Sequence, residues 1–297
     1  MTTEWLANWA PLVVVLAMLV VGLELTLSDF SRQGRQWRLV LAATLLQPAL
    51  LSAVALFALT VFRPAPDLAL AMLVLAVAPG GLISNAYTYL VRGDVALSVA
   101  LTALSTLLAP IVIPIVLPVV AQLSGGVVEA AGWSPGALVQ RLLLTILLPV
   151  ALGMWLRARW PQRVRAWRRP LGLVTALVVA ILLVPAVIEA LQMSATHLLD
   201  MARYAAAFTL SAMAAAAFLA FMLTSDAKAR VALSVEFAVR NIPIAVMLVT
   251  ANGGSNAAIL FLAVYFVLDA PMVLVLGHTL RRWLIARDSP GTAAAGA

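Results

Sequence analysis

Apolar runs alternate with short polar segments along almost the whole chain. Because a helix needs about 20 mostly apolar residues to cross a bilayer, this pattern predicts membrane-spanning helices. The chain is therefore expected to be an all-α polytopic membrane protein, with one transmembrane domain over residues 1–285 and a disordered tail over residues 286–297. Nine spans fit the pattern, and they cover approximately residues 9–28, 38–62, 67–91, 95–123, 136–157, 170–192, 200–224, 228–251 and 255–280.

The third and eighth spans differ from the others because polar and helix-breaking residues interrupt them. The third contains the segment APGGLISNAYTYL, and the eighth contains VEFAVRNIPIAV, in which Pro243 removes a backbone donor and loosens the helix around residue 239. Two interrupted spans that cross the membrane in opposite directions are typical of inverted-repeat transporters. We therefore expect two crossed, discontinuous helices that build a binding site near the middle of the bilayer.

The distribution of charge predicts the orientation of the chain in the membrane. Hydrophobic residues make up 64% of the chain and charged residues 10%, and the mean hydropathy is +1.07, which fits a membrane protein. The net charge of +7 does not indicate a nucleic-acid partner, because the basic residues are concentrated in short loops. Fifteen of the 19 lie on one side of the predicted spans, which predicts an outer N-terminus and a cytoplasmic C-terminus in the cell (inner) membrane.

The residue types give no support to a membrane-embedded enzyme. The chain contains no cysteine and no H-E-x-x-H motif, and the helix that carries Glu236 holds no second acid. His197 and His278 have no companions at metal-ligand spacing. We expect no catalytic residue, no transition metal and no organic cofactor.

Glu236 needs a partner more than any other residue, since a carboxylate at mid-membrane depth costs about 2.5–3.5 kcal/mol on insertion scales. Arg240 follows four residues later, so one alternative is a structural ion pair along the helix. The other alternative is that Glu236 binds a hard monovalent cation with the help of oxygens from elsewhere in the chain.

The fourth span offers hydroxyl groups for such a cation. Ser98, Thr102 and either Ser105 or Thr106 recur at three- and four-residue spacing, so they line one face of a helix. Hydroxyls at this spacing often bond back to a carbonyl one turn earlier, which is the alternative to a functional role. Combined with the polar side chains of the break and with a carboxylate, they would supply the oxygens that sodium prefers.

The run PGGLISNAYTYLVRGDVALSVALTALSTLLAP, together with EFAVRNIPIA farther along the chain, resembles the bile acid:sodium symporter family. The resemblance extends from MLVVGLELTLSDF in the first span to the ninth span, and it implies a nine-helix form of that fold. It implies sodium-coupled symport of a carboxylated organic anion by alternating access, with sodium as the coupling ion. It also implies a panel of spans 9–28, 136–157 and 170–192 and a core of spans 38–62, 67–91, 95–123, 200–224, 228–251 and 255–280.

The resemblance implies two sodium sites. The first would consist of Ser84, Asn85, Ser98, Thr102 and Glu236. The second would consist of Gln47 and Glu236 with the positions of Phe237, Val239 and Arg240, where main-chain carbonyls contribute. Arg240 departs from the family, which has glutamine at this position. Its guanidinium either replaces the second sodium, leaving one sodium or none per cycle, or binds the anionic substrate directly.

The substrate is expected in the cleft between core and panel. The N–H groups of Leu82 and Ile83 begin a half-helix and would bind a carboxylate. Asn241 either contacts the substrate or caps the freed end of the next half-helix. The sequence does not assign a role to Glu24 or to Asp269. It also does not distinguish a bile-acid-like substrate from a small carboxylate. A sodium-independent or proton-coupled carrier is the alternative mode of transport.

Overall fold

The structure is a computed structural model, and it describes residues 3–26, 36–127, 135–167, 170–174 and 194–288, together with residues 177, 181 and 188. The sixth predicted span, 170–192, therefore lies mostly outside the described residues. The tail beyond residue 288 lies outside them as well.

The described residues are helical almost throughout, and they contain no β-strand. Residues 161–167 are also helical. The helices α6 and α7 are joined by a π-helical turn, Leu143–Leu147, that continues the same span. In chain order the helices are α1 (Thr3–Glu24), α2 (Trp37–Phe62), α3 (Pro66–Val77), α4 (Ile83–Leu90), α5 (Val95–Leu123), α6 (Pro135–Leu142), α7 (Leu148–Arg159), α8 (Ala195–Leu223), α9 (Ala227–Ala238), α10 (Ile242–Ala251) and α11 (Asn256–Asp288).

These helices confirm the class of protein that the apolar runs predict. Within the described residues, five helices are long and apolar enough to cross a membrane: α2, α5, the joined α6 and α7, α8, and α11. The apolar part of α1, with α3 and α10, is shorter. One boundary differs from the prediction, because α11 continues to Asp288 and residues 286–288 are helical rather than part of a disordered tail.

The third and eighth spans are each broken into two half-helices, as their sequences predict. The residue before a proline avoids helical geometry, and α3 ends at Val77 with Ala78 in an extended conformation before Pro79. At the other break, Pro243 lies in the first turn of α10, where its missing N–H costs nothing. Asn241 caps this turn, since its Oδ1 accepts a hydrogen bond from the N–H of Ile244 at 3.2 Å.

The two breaks cross each other as a short antiparallel backbone pair. The N–H of Gly81 donates to the carbonyl of Val239 at 3.1 Å, and the N–H of Asn241 donates to the carbonyl of Pro79 at 3.0 Å. These bonds satisfy backbone groups that the bilayer could not satisfy. A Cβ at Gly81 would lie 2.7 Å from the carbonyl oxygen of Arg240, so this crossing requires a glycine there.

Small residues bring the first helix close to α7. A Cβ on Gly153 would lie 2.5 Å from the carbonyl oxygen of Leu19, and a Cβ on Gly22 would collide with the backbone of Val150. Such close helix contacts at small residues are the usual way in which membrane helices associate. The pair formed by α1 and α7 also packs against α10, through α1.

Candidate functional site

Glu236 lies in the last turn of α9, just before the crossing, and only 1% of its surface is exposed. Three hydroxyl groups donate hydrogen bonds to its carboxylate. Ser84 Oγ and Ser98 Oγ bond to Oε2 at 2.6 and 3.1 Å, and Thr102 Oγ1 bonds to Oε1 at 2.8 Å. The carboxylate is therefore held by α4 and α5 together, at the point where the half-helices meet.

Asn85 joins the same group of polar side chains. Its Oδ1 accepts hydrogen bonds from Ser98 Oγ at 2.9 Å and from Thr102 Oγ1 at 3.4 Å. The structure thus brings together all five residues that the family resemblance implies for the first sodium site. We refer to Ser84, Asn85, Ser98, Thr102 and Glu236 as the Glu236 cluster.

The local sequence explains how the Glu236 cluster forms. Ser98 and Thr102 are one turn apart on α5, and Ser84 and Asn85 lie in the first turn of α4, which begins at Ile83 shortly after the glycine pair. Gly80 allows the approach of Glu236, because a Cβ at this position would collide with its Oε1. Glycine at position 80 is therefore a requirement of the cluster, whereas the crossing requires the glycine at position 81.

Two further hydroxyls support the cluster, and the sequence did not single out their roles. Thr88 Oγ1 donates to Ser98 Oγ at 3.3 Å. Ser105 Oγ accepts a hydrogen bond from the N–H of Gly80 at 3.2 Å, so it fixes the crossing and does not contact Glu236. Thr106 Oγ1 is buried and has no hydrogen-bond partner. The alternative for such hydroxyls, a hydrogen bond to the carbonyl one turn earlier, is also observed. Thr102 Oγ1 donates to the carbonyl of Ser98 at 3.0 Å.

The donor set of the Glu236 cluster consists of one carboxylate, three hydroxyls and an amide oxygen. Neutral oxygens with a single negative charge suit a hard monovalent cation better than a divalent one. Among the described residues, no group of three or more His, Cys, Asp and Glu side chains could hold a metal ion. The chemistry of the site therefore fits sodium.

The Glu236–Arg240 ion pair, one of the two alternatives for Glu236, does not form. No nitrogen of Arg240 lies within 4.0 Å of a carboxylate oxygen of Glu236. The reason is the break itself, because α9 ends at Ala238 and the two residues do not lie on one continuous helix. The spacing of four residues therefore does not place them face to face.

Arg240 is nevertheless buried, with 3% of its surface exposed. Its Nε donates to the carbonyl of Leu75 at 3.1 Å, while its Nη1 is buried and has no partner. The guanidinium lies where α3 and α9 end, and the carbonyl ends of helices carry partial negative charge. These helix ends compensate the arginine in place of a carboxylate.

Gln47 and Arg240 line one small cavity, of about 20 Å³, together with Thr44 and Ser105. A cavity of this size has room for about one water molecule. Gln47 Nε2 also donates to the main-chain carbonyl of Glu236 at 3.4 Å. The side chain of Arg240 thus lies beside Gln47, in the region that the family resemblance implies for a second cation.

The remaining predicted residues surround the crossing. The side chains of Phe237 and Val239 are buried, and the carbonyl of Val239 is used by the crossing. Leu82 and Ile83 stand at the start of α4, where no side chain caps the helix. Asn241 has the capping role at α10, which is one of its two predicted roles.

Comparisons with known proteins bear on the class of this protein. Residues 11–166, which include the first break and most of the Glu236 cluster, match the model of the sodium bile acid symporter family. A stretch of 99 residues is 33% identical to the "Probable sodium/metabolite cotransporter BASS1, chloroplastic" of Arabidopsis thaliana. That stretch covers 33% of this chain and 25% of the plant protein.

Proposed function

Because the chain belongs to the sodium bile acid symporter family, we propose that it is a secondary transporter that moves a carboxylated organic anion together with sodium by alternating access. The observation that carries this proposal is the Glu236 cluster, in which a buried carboxylate accepts hydrogen bonds from three hydroxyls at crossed half-helices, with an amide oxygen bonded to two of these hydroxyls. The plant cotransporter, whose printed name refers to sodium and a metabolite, supports the same class of function.

The proposed sodium site is the Glu236 cluster itself. Its hydroxyls donate to the carboxylate in the present structure. When sodium binds, the same hydroxyls turn their oxygen lone pairs toward the ion, and Glu236 supplies the compensating charge. Ligands from α4, α5 and α9 would then be tied together by one ion, so sodium would favour one arrangement of these helices over another.

Arg240 supplies a fixed positive charge in place of a second sodium. Two sodium ions and one carboxylate would give the site a net charge of plus one, and one sodium with Arg240 and Glu236 gives the same value. Arg240 lines the cavity beside Gln47, and helix ends compensate its charge. We therefore propose one sodium per monoanionic substrate, so that transport is electroneutral.

The substrate is proposed to bind beside the crossing, between a core and a panel. The core comprises α2 to α5 and α8 to α11, and the panel comprises α1, α6, α7 and the span over 170–192. The uncapped start of α4 at Leu82 and Ile83 offers N–H groups to the substrate carboxylate. Asn241 and Arg240 lie on the other strand of the crossing and contribute polarity and positive charge.

We propose that the two broken spans are corresponding parts of an inverted repeat in the cell membrane. With the N-terminus outside, the excess of basic residues falls in the cytoplasmic loops. An inward sodium gradient would then drive uptake of the anion.

A sodium-independent or proton-coupled carrier is the second candidate. The observation that favours it is the position of Arg240, since a permanent cation beside Gln47 removes part of the need for a coupling ion. The two candidates differ in whether a sodium gradient drives uptake.

Transport into proteoliposomes tests the proposal. A panel of labelled carboxylates is offered under an inward sodium gradient and under an equal potassium gradient. We expect sodium-driven uptake in the wild type, its loss in Ser98→Ala, and its retention in Ser234→Ala. Ser234 is the matched control because it is buried on α9 but bonds only within its helix, to the carbonyl of Arg230 at 2.9 Å. Equal uptake with both ions would exclude sodium symport and favour the second candidate.

A further inference from the structure

Asp269 is a second buried carboxyl group, and it lies outside the Glu236 cluster. It is located in the middle of α11, and 2% of its surface is exposed. Its Oδ1 has no hydrogen-bond partner. A carboxylate in this position would carry an uncompensated charge inside the membrane, which is energetically costly.

The elements packed against Asp269 do not offer it a cation. Among the described residues, no basic nitrogen lies within 4.0 Å of its carboxyl oxygens. The titratable groups that an ionised Asp269 would act on are two tyrosines, Tyr265 on its own helix and Tyr87 on α4, and neither can supply a positive charge. The charged residues of the packed elements and the break are Asp67 on α3, Asp200 and Arg203 on α8, Lys228, Arg230 and Glu236 on α9, and Arg240.

The chemistry of the site selects a proton over a metal cation. Glu236 is surrounded by hydroxyl donors, whereas Asp269 Oδ1 meets none. A sodium ion needs several oxygen ligands, whereas side chains of α9 and α11 in this region form an apolar cluster that includes Val235 and Val273, with Ala270 packed against it. A proton needs only the carboxyl group itself, and it removes the charge that the apolar surroundings disfavour.

Asp269 is connected to the crossing through Tyr265. Tyr265 lies one helical turn before Asp269, on the same face of α11. Its hydroxyl donates a hydrogen bond to the carbonyl of Ala238, the last residue of α9. Ala238 lies two residues after Glu236, so the charge on Asp269 acts close to the end of the helix that carries the Glu236 cluster.

We propose that Asp269 is a proton-binding site, and that sodium binding at the Glu236 cluster releases its proton. The physical reason is reciprocity between two cation sites. A sodium ion raises the local positive potential and so weakens the hold of Asp269 on its proton, and a proton on Asp269 weakens sodium binding by the same factor. The first half, protonation of Asp269, is independent of the proposed function, and the second half rests on the proposed sodium site at the Glu236 cluster.

Infrared spectroscopy of the purified protein tests the first half without sodium. The wild type is expected to show the carbonyl stretch of a buried protonated carboxylic acid, and Asp269→Asn is expected to lack it. Asn has the shape of the protonated acid, so this variant should fold. Glu236→Gln serves as the second measurement, because it identifies any part of the band that belongs to Glu236. A band unchanged by Asp269→Asn, or absent from the wild type, overturns the proposal.

Proton release in weakly buffered detergent solution tests the second half. Sodium chloride added to the wild type should release protons, and the same addition to Asp269→Asn should release fewer. Tyr265→Phe should keep the infrared band and weaken the coupling, because the hydroxyl link to Ala238 is lost. Equal proton release from the wild type and Asp269→Asn overturns the coupling. A failure of sodium to bind at all would instead refute the sodium site while leaving the infrared result intact.

Discussion

Replacing Thr102 by valine removes one hydroxyl from the Glu236 cluster and preserves the shape of the side chain. The Thr102 hydroxyl lies 2.8 Å from Glu236 Oε1 and also 3.0 Å from the carbonyl of Ser98. Thr145 is a matched control. Its hydroxyl donates only to a backbone carbonyl one turn earlier, that of Arg141, at 2.7 Å, and its side chain is buried like that of Thr102. The two variants therefore differ mainly in the bond to the carboxylate.

The size of the effect follows from that difference. A hydrogen bond to a charged group contributes about 1.5–3 kcal/mol, and a neutral one contributes about 0.5–1.5 kcal/mol. Thr102→Val should therefore lower the free energy of unfolding by about 1–2 kcal/mol more than Thr145→Val does. Since 1 kcal/mol corresponds to about 2–4 °C in a chain of 150–250 residues, the extra fall in Tm should be a few degrees.

Thermal unfolding in detergent, with sodium titrated against potassium, measures both consequences. Thr102→Val should lower the Tm without sodium and should lose most of the sodium-specific rise, because valine offers the ion no oxygen. Thr145→Val should keep the full sodium-specific rise. If both variants respond equally to sodium, Thr102 is not a ligand of a sodium site and the interpretation of the Glu236 cluster is wrong.

Three further predictions concern the crossing. Gly80→Ala places a methyl group against the carboxylate, so it should cost about 1–3 kcal/mol and abolish the sodium-specific rise in Tm; Gly136→Ala, which meets open space, should change neither quantity. Arg240→Gln removes the fixed charge, so uptake should gain a steeper sodium dependence and become sensitive to membrane potential; unchanged, electroneutral uptake would refute the replacement of an ion. Asn241→Ala and Asp226→Ala each remove a helix cap and should each cost about 1 kcal/mol in thermal or denaturant unfolding, but only the former should weaken substrate binding; equal binding in both would limit Asn241 to capping.

Much of the fold is predictable from the lengths of the apolar runs and from the positions of proline. Pro79 and Pro243 indicate both breaks, because each removes a donor that a continuous helix would need. The end of α11 is less predictable. The apolar run stops near residue 280, but the polar segment after it contains no glycine or proline before Pro290, so the helix continues to Asp288.

The Glu236 cluster could be predicted only in part. The spacing of Ser98 and Thr102 places them on one helix face, but nothing in that spacing indicates that the face meets Glu236. That contact is tertiary. The sequence suggests it only through the combination of a hydroxyl face, a broken span and a carboxylate that needs a partner, and the family resemblance then assigns the five residues. Ser105 at the crossing and Tyr265 at the end of α9 bond to partners that are distant in the sequence. No local sequence pattern predicts these two contacts.

Arg240 shows how a correct local rule can fail. The spacing of four residues favours an ion pair on a helix, and the same sequence predicts a break that makes this spacing irrelevant. The guanidinium instead bonds to the carbonyl of Leu75 on the other broken span. Its environment therefore follows from the crossing of two chain segments rather than from its neighbours in sequence.

Direct measurement of sodium binding to purified protein tests the central claim most directly. Radioactive sodium is titrated in the presence of potassium, with the wild type and Glu236→Gln compared. The account predicts saturable, sodium-specific binding of one ion per chain in the wild type, and its loss when the carboxylate becomes an amide. Binding that is absent from the wild type, equally satisfied by potassium, or unchanged in Glu236→Gln would contradict a sodium site at the Glu236 cluster.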